Sequence, residues 1–201
     1  PLLKVQEKFG VGDLATDLPE QVTVELEVLG PSWVRATRAP LFANGELIRD
    51  EELSPVGEGN GVQGRVRWTV ARPKHDVHLV AIATGPAVAE PFWAMTKPYQ
   101  PRSVDWVGRS IGVTNPVWID ADRDGVFTSA RGYAGRVIAA NRLDSMAALS
   151  ALGSFDKAVA VQAASSWDAA GVDLRAEEFS RKLEDAAPHV RKGFQEYLAA
   201  A

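Results

Sequence analysis

Three aspartates at alternate positions have the spacing that most favours chemistry in this sequence: Asp120, Asp122 and Asp124 precede Gly125 and Val126. When a chain wraps into a tight loop, carboxylates at alternate positions converge, the glycine permits the sharp turn, and the next residue offers its carbonyl. Hard oxygen ligands in this order are typical of Ca²⁺ sites. We therefore expect Asp120, Asp122, Asp124 and the Val126 carbonyl to bind a structural Ca²⁺ ion.

This pattern departs from a helix–loop–helix calcium site at its last ligand. The twelfth position holds Arg131 where a bidentate carboxylate belongs, and a predicted strand over residues 117–119 precedes the loop. A cation would need another ligand, for which Asp105 and Glu90 are the candidates. The alternative is a polar Asp-Gly turn whose aspartates cap the helix that begins near Ser129, although three carboxylates in one turn repel unless they are solvated or paired with a cation.

Other residue types that support catalysis occur in unfavourable settings. A three-histidine Zn²⁺ site would need His75, His78 and His189 to meet, but the first two point to opposite faces of an extended segment and the third follows on a distant helix. Ser110 fits the letters Gly-x-Ser-x-Gly, yet a short strand follows where a nucleophile elbow needs a helix. Ser154 begins Ser-x-x-Lys without companion motifs and is interpreted as a helix N-cap. The residues predict no catalytic centre within this chain.

Aromatic residues in a proline-rich segment suggest a different function. Residues 85–110 hold four prolines together with Trp93, Tyr99 and Trp106. Aromatic rings on the loops of a β-sandwich can stack on sugar rings or on a partner protein, so a carbohydrate- or partner-binding module is the alternative to a structural role. The competing interpretation is that these rings fasten the segment to the core.

Composition excludes several functional classes. The 201 residues are 46% hydrophobic and 24% charged, which is typical of a globular protein. A net charge of −4 provides no basic field for nucleic acid, and no apolar run approaches the ~18 residues that a membrane span needs. Cysteine is absent, which excludes disulfides and thiolate chemistry. Because the chain starts at Pro1, we expect a piece of a longer protein, the alternative being a processed mature chain; composition predicts no oligomeric state.

The chain changes character near residue 128. Eleven of twelve prolines and twelve of seventeen glycines precede this point, and alanine is dense after it. Proline and glycine punctuate strands and turns, whereas alanine favours helices. The sequence therefore predicts an α+β protein: an immunoglobulin-like antiparallel β-sandwich over residues 1–127, with a long irregular excursion at 85–110, followed by a helical subdomain over residues 128–201.

Individual elements follow from periodicity. Alternating or continuous apolar runs predict strands, and an Asn44-Gly45 pair predicts a hairpin turn. The clearest strands lie at residues 22–28, 65–70, 77–83 and 117–119. Three to four amphipathic helices are expected, at residues 129–141, 143–152 and 155–170, and from Asp173 to residue 198 with a kink or restart at Pro188.

Several of these stretches resemble a known family. The runs Trp33-Val-Arg-Ala, Leu41-Phe-Ala-Asn-Gly45 and Thr114-Asn-Pro-Val-Trp-Ile-Asp-Ala-Asp-Arg-Asp-Gly125 resemble the C-terminal region of large PHP-superfamily metallohydrolases of the carbaryl-hydrolase-like group. The similarity spans residues 22–200. It implies a non-catalytic accessory domain attached to an upstream metal-dependent hydrolase domain of the same chain, in a bacterium and outside the cytoplasm. The family's catalytic residues belong to that upstream domain, so none is assigned here.

Overall fold

The computed structural model describes residues 1–53, 61–89, 96–97, 99, 106–141 and 144–201. These residues form nine strands and five helices, so the predicted α+β class is confirmed, with five helices in place of three or four. The strands are β1 (Leu2–Val5), β2 (Leu14–Ala15), β3 (Gln21–Leu29), β4 (Arg38–Ala43), β5 (Glu46–Glu52), β6 (Val62–Ala71), β7 (Val77–Pro86), β8 (Arg109–Val113) and β9 (Val117–Ile119). The helices are α1 (Ala130–Ala140), α2 (Ser145–Leu152), α3 (Lys157–Ala169), α4 (Glu177–Glu184) and α5 (Pro188–Ala200). None of the described helices combines the length and apolar character that crossing a bilayer requires.

The chain divides into two compact units. The first, or strand unit, comprises Pro1–Arg72 and His78–Ile119; the second, or helical unit, comprises Pro73–Val77 and Asp120–Ala201. The main segment of the helical unit thus begins at residue 120, before the change in composition near residue 128. The unit also includes Pro73–Val77, which is distant in sequence. The physical reason is a set of hydrogen bonds that joins Asp76 to the segment after β9.

The strand unit contains two sheets. Three antiparallel strands in the order β1-β3-β6 form one sheet, and β3 buries alternate residues, as the alternation at residues 22–28 predicts. The second sheet has the order β2-β9-β7-β4-β5, with β8 also paired to β7. Its β2–β9 pair is parallel, a departure from the purely antiparallel expectation. β2 has two residues, which is too short for a periodic signal.

The connections bear out some local predictions and correct others. Asn44 and Gly45 take φ values of 46° and 82° between β4 and β5, as a type I′ hairpin turn requires. Within the 85–110 segment, which was expected to be irregular, β8 begins at Arg109. Trp93, Glu90 and Asp105 lie outside the described residues.

Helix termini follow capping chemistry. The Ser129 hydroxyl accepts a hydrogen bond from the Gly132 N–H and caps α1, a role that the sequence alternative had given to the loop aspartates. The expectation that Ser154 caps α3 is wrong: Asp156 does so by accepting from the Val159 N–H at 3.0 Å. The helix expected to start at Asp173 begins instead at Glu177, without a side-chain cap.

The helical unit has its own apolar core. It is built from one face of each helix together with residues that precede α4. Its fully buried members include Ala134, Ala148, Leu152, Val159, Ala160, Ala163, Ala164, Val190 and Phe194. Small residues let α3 and α5 approach closely: a Cβ added at Gly193 would lie 2.8 Å from the Ala160 Cβ.

Candidate metal centre

Three carboxylates converge within the helical unit. One oxygen from each of Asp76, Asp120 and Asp122 lies within 4.8 Å of the others. Asp76 and Asp120 are 0% and 1% exposed, whereas Asp122 is exposed. Asp76 comes directly before β7 and Asp120 directly after β9, and these strands are neighbours in their sheet. Strand order therefore explains how residues more than forty positions apart meet.

The segment that follows β9 folds into a loop around the Asp120 carboxylate. Its Oδ1 accepts a hydrogen bond from the Arg123 N–H at 2.7 Å, and its Oδ2 accepts from the Gly125 N–H at 2.9 Å. Arg123 and Gly125 both adopt positive φ, 65° and 79°, which permits this tight course. The glycine at the sixth position of the pattern thus has the conformation that the sequence analysis expected.

Asp76 ties both ends of this loop together. Its Oδ1 accepts from the Ala121 N–H at 2.8 Å and, at the longer distance of 3.5 Å, from the Asp122 N–H. Its Oδ2 accepts from the Thr128 N–H at 2.7 Å, next to the N-cap of α1. The loop and the start of α1 are therefore held by one side chain from a remote segment.

A tyrosine of α1 completes the network. The Tyr133 hydroxyl donates to Asp122 Oδ2 at 3.0 Å and accepts from the Asp76 N–H at 3.2 Å. Burial of this ring, assisted by the hydrogen bond to Asp122, raises the pKa of Tyr133 to about 12. Tyr133 is therefore a neutral donor at neutral pH.

The carboxylates of this cluster form no direct ion pair with a described basic residue, although Arg136 lies nearby, with its guanidinium 5.4 Å from the Tyr133 ring centroid and a hydrogen bond to the Thr128 hydroxyl. No described lysine or arginine forms an ion pair with Asp76, Asp120 or Asp122. Negative charges at this separation repel one another unless a cation offsets them. The atoms available as metal ligands are all carboxylate oxygens, which suits hard divalent cations such as Ca²⁺ and Mg²⁺. The donor set thus fits a hard cation.

The cluster contains only part of the predicted ligand set. Asp120 and Asp122 belong to it, whereas Asp124 does not and instead accepts from the Val126 N–H at 2.8 Å. Asp76 is not among the ligands that the aspartate pattern predicts, because it lies in a distant segment of the sequence.

The histidines lie in different settings. His75 is 7% exposed and packs edge-on against Tyr133 and Phe155, with ring centroids 5.5 and 5.4 Å apart. Its Nε2 lies 3.1 Å from Asp156 Oδ2, within ion-pair distance but without hydrogen-bond geometry. His78 belongs to the strand unit and contacts Trp118, and His189 lies in α5 of the helical unit.

The remaining candidates lie apart from the carboxylates. Ser110 is part of β8, and its hydroxyl donates to the Pro86 carbonyl at 2.9 Å. Tyr99 is fully exposed and Trp106 is 39% exposed. These two rings are thus accessible from solvent, while Trp93 is outside the described residues.

Comparison with known proteins assigns no relative to this architecture. No family model, curated protein or solved structure matches the chain.

Proposed function

We propose that this chain is a non-catalytic accessory module whose helical unit is stabilised by a structural divalent cation at Asp76, Asp120 and Asp122. One observation carries the proposal: carboxylates from two remote segments converge within 4.8 Å, and no lysine or arginine among the described residues pairs with them. A bound cation would offset their mutual repulsion and link the segment before β7 to the loop after β9.

Calcium is the ion that this donor set favours. Ca²⁺ accepts six to eight oxygen ligands in flexible geometry, whereas Mg²⁺ demands a near-ideal octahedron. Asp76 would supply the carboxylate that the loop lacks at Arg131. Asp124 and the Val126 carbonyl are proposed as additional ligands on the basis of their spacing. Any remaining positions would be filled by water.

Thermal unfolding with calcium or with chelator tests this proposal. At a Ca²⁺ concentration 100 times the Kd, binding to the native state adds about 2.7 kcal/mol, which corresponds to a Tm increase of roughly 5–10 °C for a chain of this size. Asp122→Asn and Asp76→Asn should make the increase much smaller, because each removes one charged ligand and leaves only a residual affinity. Asp173→Asn is the matched control, because Asp173 is an exposed aspartate of the same unit whose carboxylate accepts from the Arg175 N–H. Identical melting in calcium and in chelator would contradict the proposal.

The wider context of the module is part of the same proposal. The resemblance to PHP-type hydrolases supports an accessory role beside an upstream catalytic domain, in a bacterial protein outside the cytoplasm. An immunoglobulin-like arrangement of the two sheets is proposed separately, from the spacing of the strands and their alternating faces. Phosphoesterase and esterase assays of this chain with added Mn²⁺, Zn²⁺ or Ca²⁺ should show no turnover. Turnover that Asp122→Asn removes would instead identify the carboxylates as a catalytic metal site.

Solvent-exposed aromatic rings favour a second candidate function, the binding of carbohydrate. Tyr99 is fully exposed and Trp106 is 39% exposed, so both rings are accessible for stacking. Oligosaccharide titration monitored by tryptophan fluorescence tests this function. If it is correct, Tyr99→Ala and Trp106→Ala weaken binding while Trp33→Ala, at an exposed tryptophan outside this segment, does not. Silence on a glycan array would contradict it.

A further inference from the structure

We infer that Tyr133 is a positioning residue for the cation site, because its hydroxyl holds the Asp122 carboxylate beside Asp76. This inference rests on the proposed function. It adds a residue of α1 that is not itself a ligand in the proposal, and it makes cation affinity depend on a hydrogen bond from the helix.

The three carboxylates differ in how firmly the backbone holds them. Asp76 and Asp120 are buried, and both oxygens of each accept a backbone N–H at 2.7 to 2.9 Å. Asp122 is exposed, and within the described part of the chain its carboxylate has one backbone partner, the Asp124 N–H, at the long distance of 3.4 Å. Its shorter hydrogen bond is the one from Tyr133, at 3.0 Å. Without that bond, the Asp122 side chain would be free to turn into solvent.

Tyr133 is itself well placed to restrain another residue. Tyr133 is 6% exposed, and its ring packs against His75 and Phe155 with centroid separations of 5.5 and 5.3 Å. The hydroxyl also accepts from the Asp76 N–H at 3.2 Å. One buried group therefore connects two proposed ligands that come from different segments. Partners of this kind, which orient a ligand without touching the metal, typically change metal affinity by about 10- to 100-fold when removed.

Calorimetric titration with CaCl₂ tests the inference. Tyr133→Phe keeps the ring and removes only the hydroxyl, so the variant should fold while its Kd for Ca²⁺ rises by about 10- to 100-fold. Tyr197→Phe is the matched control: it removes a tyrosine–aspartate hydrogen bond of 2.6 Å to Asp168 in the same helical unit, away from the loop. Its Kd should equal that of the wild type.

A double-mutant cycle separates positioning from general destabilisation. If Tyr133 acts through Asp122, adding Tyr133→Phe to an Asp122→Ala background should leave the residual Ca²⁺ affinity unchanged. A wild type that binds no Ca²⁺ would overturn the proposed function and this inference with it. A wild type that binds Ca²⁺ with the same Kd as Tyr133→Phe would overturn the inference alone. The inference would also fail if Tyr133→Phe weakened binding equally with and without the Asp122 carboxylate.

Discussion

At the scale of single residues, Asp76 determines the geometry of the candidate site. It is fully buried and accepts backbone hydrogen bonds from Ala121 and Thr128, at the two ends of the loop. A buried N–H group left without an acceptor lowers the free energy of unfolding by about 1–3 kcal/mol. The Asp76 carboxylate prevents this loss at both N–H groups.

Replacement of Asp76 should therefore destabilise the protein even in the absence of a cation. For Asp76→Ala in chelator, we expect the free energy of unfolding to fall by about 2–5 kcal/mol, because two buried N–H groups lose their acceptor. Urea denaturation measures this change. Asp144→Ala is the comparison, since Asp144 is an exposed N-cap of α2 whose loss should cost about 1 kcal/mol. Equal losses in the two variants would contradict the role given to Asp76.

Tyr133 predicts a specific dependence of stability on alkaline pH. Its pKa is raised to about 12, above the value of about 10 for an unfolded tyrosine, so the native state holds the proton more tightly. The corresponding stabilisation is complete below about pH 10 and is lost as the pH rises toward 12. The difference in unfolding free energy between wild type and Tyr133→Phe should therefore shrink across this range. A constant difference would show that the hydroxyl does not titrate with folding.

The loop aspartates were predictable from the sequence, but Asp76 was not. Alternate carboxylates followed by glycine form a local pattern that can be read along the chain, and Asp120 and Asp122 belong to the cluster. The contribution of Asp76 depends on β7 lying beside β9, which is a property of strand order and not of local spacing.

At the scale of elements, long periodic segments were predicted well and short ones were missed. β3 and α1 show clear periods of two and 3.6 residues. β1 and β2 have four and two residues, too few for a period to be recognised. At the start of α3, Ser154 and Asp156 are both good N-caps by type, and only the hydrogen bond to Val159 shows which one acts.

A methyl group added at the contact between α3 and α5 should destabilise the protein. A Cβ at Gly193 would lie 2.8 Å from the Ala160 Cβ and 3.0 Å from the Lys157 carbonyl oxygen, so Gly193→Ala should cost about 1–3 kcal/mol. Gly135 in α1 is the matched control: it is exposed, and nothing lies within 4 Å of its added Cβ. Gly135→Ala should be neutral or stabilise by up to about 1 kcal/mol. Chemical denaturation of both variants measures these changes. If Gly193→Ala were as neutral as Gly135→Ala, the close packing of α3 against α5 would be contradicted.

At the scale of the whole molecule, composition changes near residue 128, whereas the helical unit also includes the loop that starts at Asp120. The abundance of proline and glycine before residue 128 reflects turns and loops, and the loop after β9 shares that composition. Its hydrogen bonds nevertheless connect it to Asp76 and Tyr133, and it belongs to the helical unit. The proposed cation site thus lies entirely within one compact unit that is assembled from two separate stretches of chain.

A crystal structure of the protein grown with CaCl₂, with anomalous data collected, tests the central claim most directly. The account predicts one anomalous peak between Asp76, Asp120 and Asp122, with carboxylate oxygens at the ~2.3–2.6 Å that Ca²⁺ requires. A map without that peak, in which the Asp122 side chain extends into solvent, would contradict the proposed cation site.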